Sequence, residues 1–96
     1  MSAFMLTTIK VKDPEKFQMY LDKVQQLSLN FGAKLLAKGK VVRNITGGES
    51  DHGVTIVVQF PGTENIDSLF NSEEYQALIP LREVGADIIM TSHQEM

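Results

Sequence analysis

The sequence predicts an α+β fold of order βαββαβ, with two helices packed on one face of a four-stranded antiparallel sheet. Three observations lead there. Val54 to Phe60 alternates with the two-residue period of a strand, setting Val54, Ile56, Val58 and Phe60 against Thr55, Val57 and Gln59. Asp13-Pro14-Glu15 opens a stripe of apolar residues at helical spacing. A second helix start, at Ser72-Glu73-Glu74, falls between that central strand and a last apolar run.

Taken in order, Ala3 to Lys12 is the first strand, dominated by apolar and β-branched residues without a breaker. In the first helix Asp13 caps the free amides, Pro14 suits a position that needs no N–H, and Glu15 favours the positive end of the dipole. Phe17, Tyr20, Leu21, Val24, Leu27, Ser28 and Phe31 form its buried stripe, and Gly32 closes it. Ala33 to Thr46 reads as one long second strand with Gly39 as a bulge, followed by a polar glycine-rich turn from Gly47 to Gly53. After the third strand, Pro61-Gly62 turns the chain and Thr63 is expected to cap a helix burying Ile66, Leu69 and Phe70. Ser72 caps a further helical segment in which Tyr75, Leu78, Ile79 and Arg82 share a face. Pro80 is expected to kink or break it. Ala86 to His93 is the last strand.

Composition bounds the function. With 96 residues the chain has room for one domain, 1–96. A chain of this length buries only about 60–65% of its unfolded surface, so association with a second copy is a natural supplement. Nine basic against twelve acidic side chains leave a net charge of −3, which offers no electrostatic drive toward nucleic acid or an anionic membrane. The absence of cysteine removes disulfides, thiolate metal sites and thiol nucleophiles together, and fits a cytoplasmic setting. No run approaches membrane-spanning length, and no secretory leader pattern opens the chain. Two histidines without metal-ligand spacing point to neither metal nor cofactor.

The two faces of the sheet raise a further expectation. Ile9, Val11, Val54, Ile56, Val58, Ile88 and Met90 belong against the helices. The other face then holds Phe4, Leu6, Thr8, Thr55, Val57, Gln59, Ile89, Thr91 and His93, an apolar patch too large for a monomer. A homodimer with facing sheets would cover it and leave a partly wet gap around Thr8, Gln59, Thr91 and His93. A small cleft between sheet and helices is expected in each subunit.

The opening AFMLTTIKVKDPEKFQMYLDKV, the segment FGAKLLAKGK and the stretch QFPGTENIDSLFNSEEYQALIPLR together resemble the family catalogued as domain of unknown function thirteen-thirty. The most specific part is Phe60-Pro61 followed by Asn71-Ser72, Tyr75-Gln76 and Arg82. The resemblance implies a ferredoxin-like fold of the dimeric α+β barrel type, whose wider relatives include cofactor-independent monooxygenases, isomerases, haem-degrading enzymes and ligand-sensing domains. It picks out Tyr20, Gly32, Phe60, Pro61, Ser72, Tyr75 and Arg82 in this chain. Three positions depart from the family pattern: Leu69 stands where a large aromatic is usual and Gly62 where serine is frequent. Asp51-His52-Gly53 stands where many members carry an arginine.

The candidate site residues are therefore Thr8, Gln59, Thr91 and His93 on the open face, with Tyr75 and Arg82 implied by the resemblance. Arg82 is either an anchor for an anion or the partner of Glu83 or Asp87. Tyr20 and Tyr75 are either core residues with satisfied hydroxyls or phenols facing a pocket. Ser72 lacks a nucleophile elbow and reads as a cap, and Glu49, Asp51 and His52 read as a solvated hairpin. The leading expectation is a homodimeric small-molecule-binding or accessory domain. The alternatives are a cofactor-independent monooxygenase or isomerase on a small organic acid or aromatic, with His93 or Tyr75 as the acid–base group, and a purely structural dimer.

Overall fold

The computed structural model describes residues 2–48 and 50–96. Strands β1 (Ala3–Val11), β2 (Lys34–Lys40), β3 (Val54–Phe60) and β4 (Ala86–Gln94) form one antiparallel sheet in the order β2-β3-β1-β4. Helix α1 (Pro14–Leu29) joins β1 to β2. The segments α2 (Thr63–Asn71), α3 (Glu73–Gln76) and α4 (Ile79–Gly85) join β3 to β4. This is the expected ferredoxin-like α+β arrangement, with the second helix divided into three. No helix among the described residues is long and apolar enough to cross a membrane.

The two faces of the sheet separate as the alternation demands. Ala3, Thr7, Ile9, Ile56, Phe60 and Ala86 are buried beneath the helices, beside Phe17, Tyr20, Leu21, Ile66, Leu69 and Tyr75 from the helical layer. On the other face Phe4 lies opposite Gln59 and His93, Leu6 opposite Val57 and Thr91, and Thr8 opposite Thr55 and Ile89. Val11 departs from the expected core and is 38% exposed. β3 begins at Val54, opposite Ile9, so Val11 has a strand neighbour on one side only.

Helix punctuation follows local chemistry. The Asp13 carboxylate accepts from the Lys16 amide at 3.1 Å, and the Ser72 hydroxyl accepts from the Tyr75 amide at 3.2 Å. Pro80 stands in the first turn of α4, where its missing donor costs nothing, and the chain breaks just before it at Ala77-Leu78.

Two expectations are corrected. The second strand stops at Lys40, and its irregularity lies between Leu35 and Ala37, while Gly39 pairs regularly with Thr55. β3 offers seven residues of partner backbone, so the chain beyond Lys40 has no ladder to join except one bond from the Val41 amide to the Gly53 carbonyl, 2.9 Å. The cap of α2 is Gly62, and Thr63 is the first helical residue. The Gly62 carbonyl receives the Asn65 amide at 3.2 Å, and the Glu64 carboxylate folds over the glycine where a side chain would otherwise stand.

Two close approaches set the height of α1 above the sheet. At its start, the Gly85 carbonyl accepts from the Lys12 and Asp13 amides at 2.9 and 3.0 Å. A Cβ on Gly85 would lie 2.8 Å from the Phe17 nitrogen, so the ends of α1 and α4 touch backbone to backbone. At its finish, Gly32 takes the left-handed conformation (φ +84°) with the Pro61 ring 2.8 Å from where its Cβ would stand. Gly85→Ala is expected to lower the unfolding free energy in urea by about 1–3 kcal/mol, because backbone cannot step aside. Gly39→Ala, where an added Cβ meets nothing within 4 Å, should change it by less than about 0.5 kcal/mol.

Candidate functional site

Held at its two ends, α1 leaves a cavity of about 430 Å³ between itself and the sheet. Thr7, Ile56 and Val58 lie on its sheet side and Phe17, Leu21 and Val24 on its helix side, with Phe70 and Met90 also in the wall. The volume is in the range of small-molecule sites. Every described lining residue is uncharged, and the polar ones are Thr7, Tyr20, Gln25, Gln26 and Ser28.

Tyr20 ties this wall to a hydrogen-bonded chain. Its hydroxyl is 2.9 Å from the Tyr75 hydroxyl, which in turn accepts from Arg82 Nη1 at 2.9 Å. Arg82 Nη2 donates to Glu83 Oε1 at 2.7 Å. Tyr75 is fully buried, seated by the Ser72 cap and by the edge-on ring of Phe70 at 4.6 Å. Burial, reinforced by the Tyr75 hydrogen bond, pushes the Tyr20 phenol well above the ordinary tyrosine range. Burial alone would lower Arg82, yet its hydrogen bonds to Glu83 and Tyr75 hold it above the ordinary arginine value. The Tyr20 phenol thus stays neutral and the guanidinium stays charged.

Thr8, Gln59, Thr91 and His93 lie on the opposite side of the sheet from this cavity, and they fall into two groups. His93 stacks on Phe4 with centroids 4.7 Å apart and planes 9° from parallel, and its Nε2 is 2.7 Å from the Thr91 hydroxyl. Gln59 flanks the same Phe4 from β3. Thr8 stands apart, its hydroxyl 3.1 Å from His52 Nδ1.

His52 is the residue that sequence reasoning missed. Far from a solvated hairpin position, it is 8% exposed and bridges two strands, with Nε2 donating to the Asp87 carboxylate at 3.1 Å. Its neighbour Asp51 pairs with Lys10 at 2.8 Å. Glu49, grouped with these two by sequence, lies outside the described residues. Nothing local marks His52, because Thr8 and Asp87 are 44 and 35 residues away along the chain.

Two expectations follow. His52→Ala should lower stability by about 1–2 kcal/mol in a denaturant titration, by stripping the partners of Thr8 and Asp87. Because the Tyr20 phenol is raised in the fold, its contribution is whole below the ordinary value of 10.0 and is lost as pH climbs beyond it. Alkaline unfolding curves of Tyr20→Phe should therefore fall less steeply above that pH than those of the unmodified chain.

The family model described as Domain of unknown function (DUF1330) matches residues 2–93. No curated protein matches the chain in sequence. Among solved structures, the chain is similar to RPA0582, a protein of unknown function from Rhodopseudomonas palustris. The TM-score is 0.84 at 12% identity, over 99% of this chain and 82% of that one. It is similar to SnoaB, a cofactor-independent oxygenase from Streptomyces nogalater, with a TM-score of 0.70 at 5% identity, over 99% and 93% of the two chains. A dimeric ferredoxin-like protein of unknown function from Thermobifida fusca gives a TM-score of 0.60 at 14% identity, over 96% and 89%. At such identities these likenesses speak for the fold. The family match spans nearly the whole chain and says more: this protein belongs to the DUF1330 family.

Proposed function

We propose that this protein binds a small organic molecule in the cavity beneath α1 and works as a homodimer joined through its open sheet face. The observation behind the first part is the cavity itself: about 430 Å³, apolar in most of its wall, with no ionisable acid–base pair among its described lining residues. A binding module needs such a pocket, whereas general acid–base chemistry needs a titrating group within reach of the ligand. The dimer is supported by Phe4, Leu6, Val57 and Ile89 on the uncovered face, Ile89 being 58% exposed. In the dimer Thr8, Gln59, Thr91 and His93 would line the gap between the sheets.

One observation favours an enzymatic reading as the second choice. Tyr20 joins the cavity wall to Tyr75 and Arg82, so a phenol backed by a cation adjoins the place where a substrate would lie. In that reading Tyr75 and Arg82 act through Tyr20, and His93, on the other face, has no part in cavity chemistry.

Titration with the neutral fluorophore N-phenyl-1-naphthylamine should give saturable enhancement, and at a hundredfold excess over Kd about 2.7 kcal/mol of added stability. Val24→Trp, which fills the cavity from its half-buried rim, should abolish the enhancement while the chain stays folded by circular dichroism. Retained enhancement in that variant would remove the cavity from consideration. Sedimentation equilibrium should return twice the chain mass at micromolar concentration. Leu6→Glu should return the single chain mass.

A further inference from the structure

Building on the binding reading, we propose that the cavity takes an uncharged, largely hydrocarbon molecule bearing a hydrogen-bond acceptor such as a ketone oxygen, and that the Tyr20 hydroxyl donates to it. Two independent features point this way.

The first is charge. A carboxylate seated in this cavity would meet no cation among the described lining residues, and an unpaired buried ion is far costlier than a buried neutral group. Arg82, the cation nearest in the hydrogen-bonded chain, is outside the lining and spends its two ends on Tyr75 and Glu83. The pocket therefore discriminates against organic acids.

The second is the direction of the hydrogen bonds. A guanidinium only donates, so the Tyr75 oxygen must accept from Arg82. The two hydroxyls are 2.9 Å apart and either can donate. Accepting from a cation polarises the Tyr75 O–H and makes it the better donor of the pair, and we take Tyr20 as the acceptor. The Tyr20 proton is then left over, on the one member of the chain that lines the cavity. A group that must donate selects a ligand atom that accepts. Of the other polar lining residues, Thr7 can give or take and sets no preference, Gln25 and Gln26 are exposed, and the Ser28 hydroxyl donates to the Gln25 carbonyl. Tyr20 thus sets the polarity of the site.

The test uses three ligands of one framework, 2-acetylnaphthalene, 2-ethylnaphthalene and 2-naphthoate, titrated calorimetrically into the full chain at pH 7. The ketone should bind about tenfold more tightly than the hydrocarbon, the worth of one good hydrogen bond, and at least about tenfold more tightly than the carboxylate. Tyr20→Phe should erase the ketone's advantage and leave the hydrocarbon within about twofold. If that variant does not fold, the ranking of the three ligands on the unmodified chain decides alone. Naphthoate binding as tightly as the ketone, or a ketone advantage that survives in Tyr20→Phe, overturns this inference and leaves the binding reading standing. Binding of N-phenyl-1-naphthylamine with no binding of any of the three overturns it as well. If the fluorophore also fails to bind, the binding reading falls and this inference with it.

Discussion

β1 is hydrogen-bonded along both sides, to β3 through Ala3–Ile9 and to β4 through Ala3–Val11, and both faces of the sheet are built on that strand. Its pleat decides two things at once. Ala3, Met5, Thr7 and Ile9 point toward the helices, while Phe4, Leu6 and Thr8 point away. A one-residue slip of register would exchange the two sets, so the buried set pins the pairing. Both sets are substantially apolar, and one chain supplies only one helical layer. The second face is left to find its cover elsewhere.

The cavity is a consequence of how α1 is held. Its start is locked to Gly85 by backbone hydrogen bonds and its finish to Pro61 through the left-handed Gly32. Between these points α1 spans a gap that its own side chains do not fill. Protein interiors ordinarily leave few voids larger than a water molecule, because each unfilled contact forfeits dispersion energy. The space of about 430 Å³ walled by Phe17, Leu21, Val24 and Met90 is well beyond that size. The Tyr20–Tyr75–Arg82 chain reaches this space at Tyr20, one of the polar residues in its wall.

The sheet has a second point of rigidity at its far end. His52, from the segment before β3, reaches over the open face to Thr8 and Asp87, and Asp51 holds Lys10 beside it. This pair of contacts fastens the long connection between β2 and β3 to β1 and β4. The open face is thereby divided into a fastened end at His52 and an uncovered end around Phe4, Thr91 and His93.

Local chemistry determined most of the skeleton. The caps at Asp13 and Ser72, the break at Pro80, the stop at Gly32 and the alternation in Val54–Phe60 each act within a few residues, so they are legible in one dimension. The family likeness was legible for the same reason, as was the division of the sheet into two apolar faces. Where the expectation went astray, the deciding partner was distant. β2 ends where β3 runs out of backbone to pair with, and His52 is buried by strands far along the chain. The joining of Tyr20, Tyr75 and Arg82 beside a neutral cavity, and the parting of those residues from Thr8, Gln59, Thr91 and His93 by the thickness of the sheet, are of the same kind. Sequence sets which groups each element presents, but only the packing of α1 on α4, and its stand-off from the sheet, settled which of them share a space.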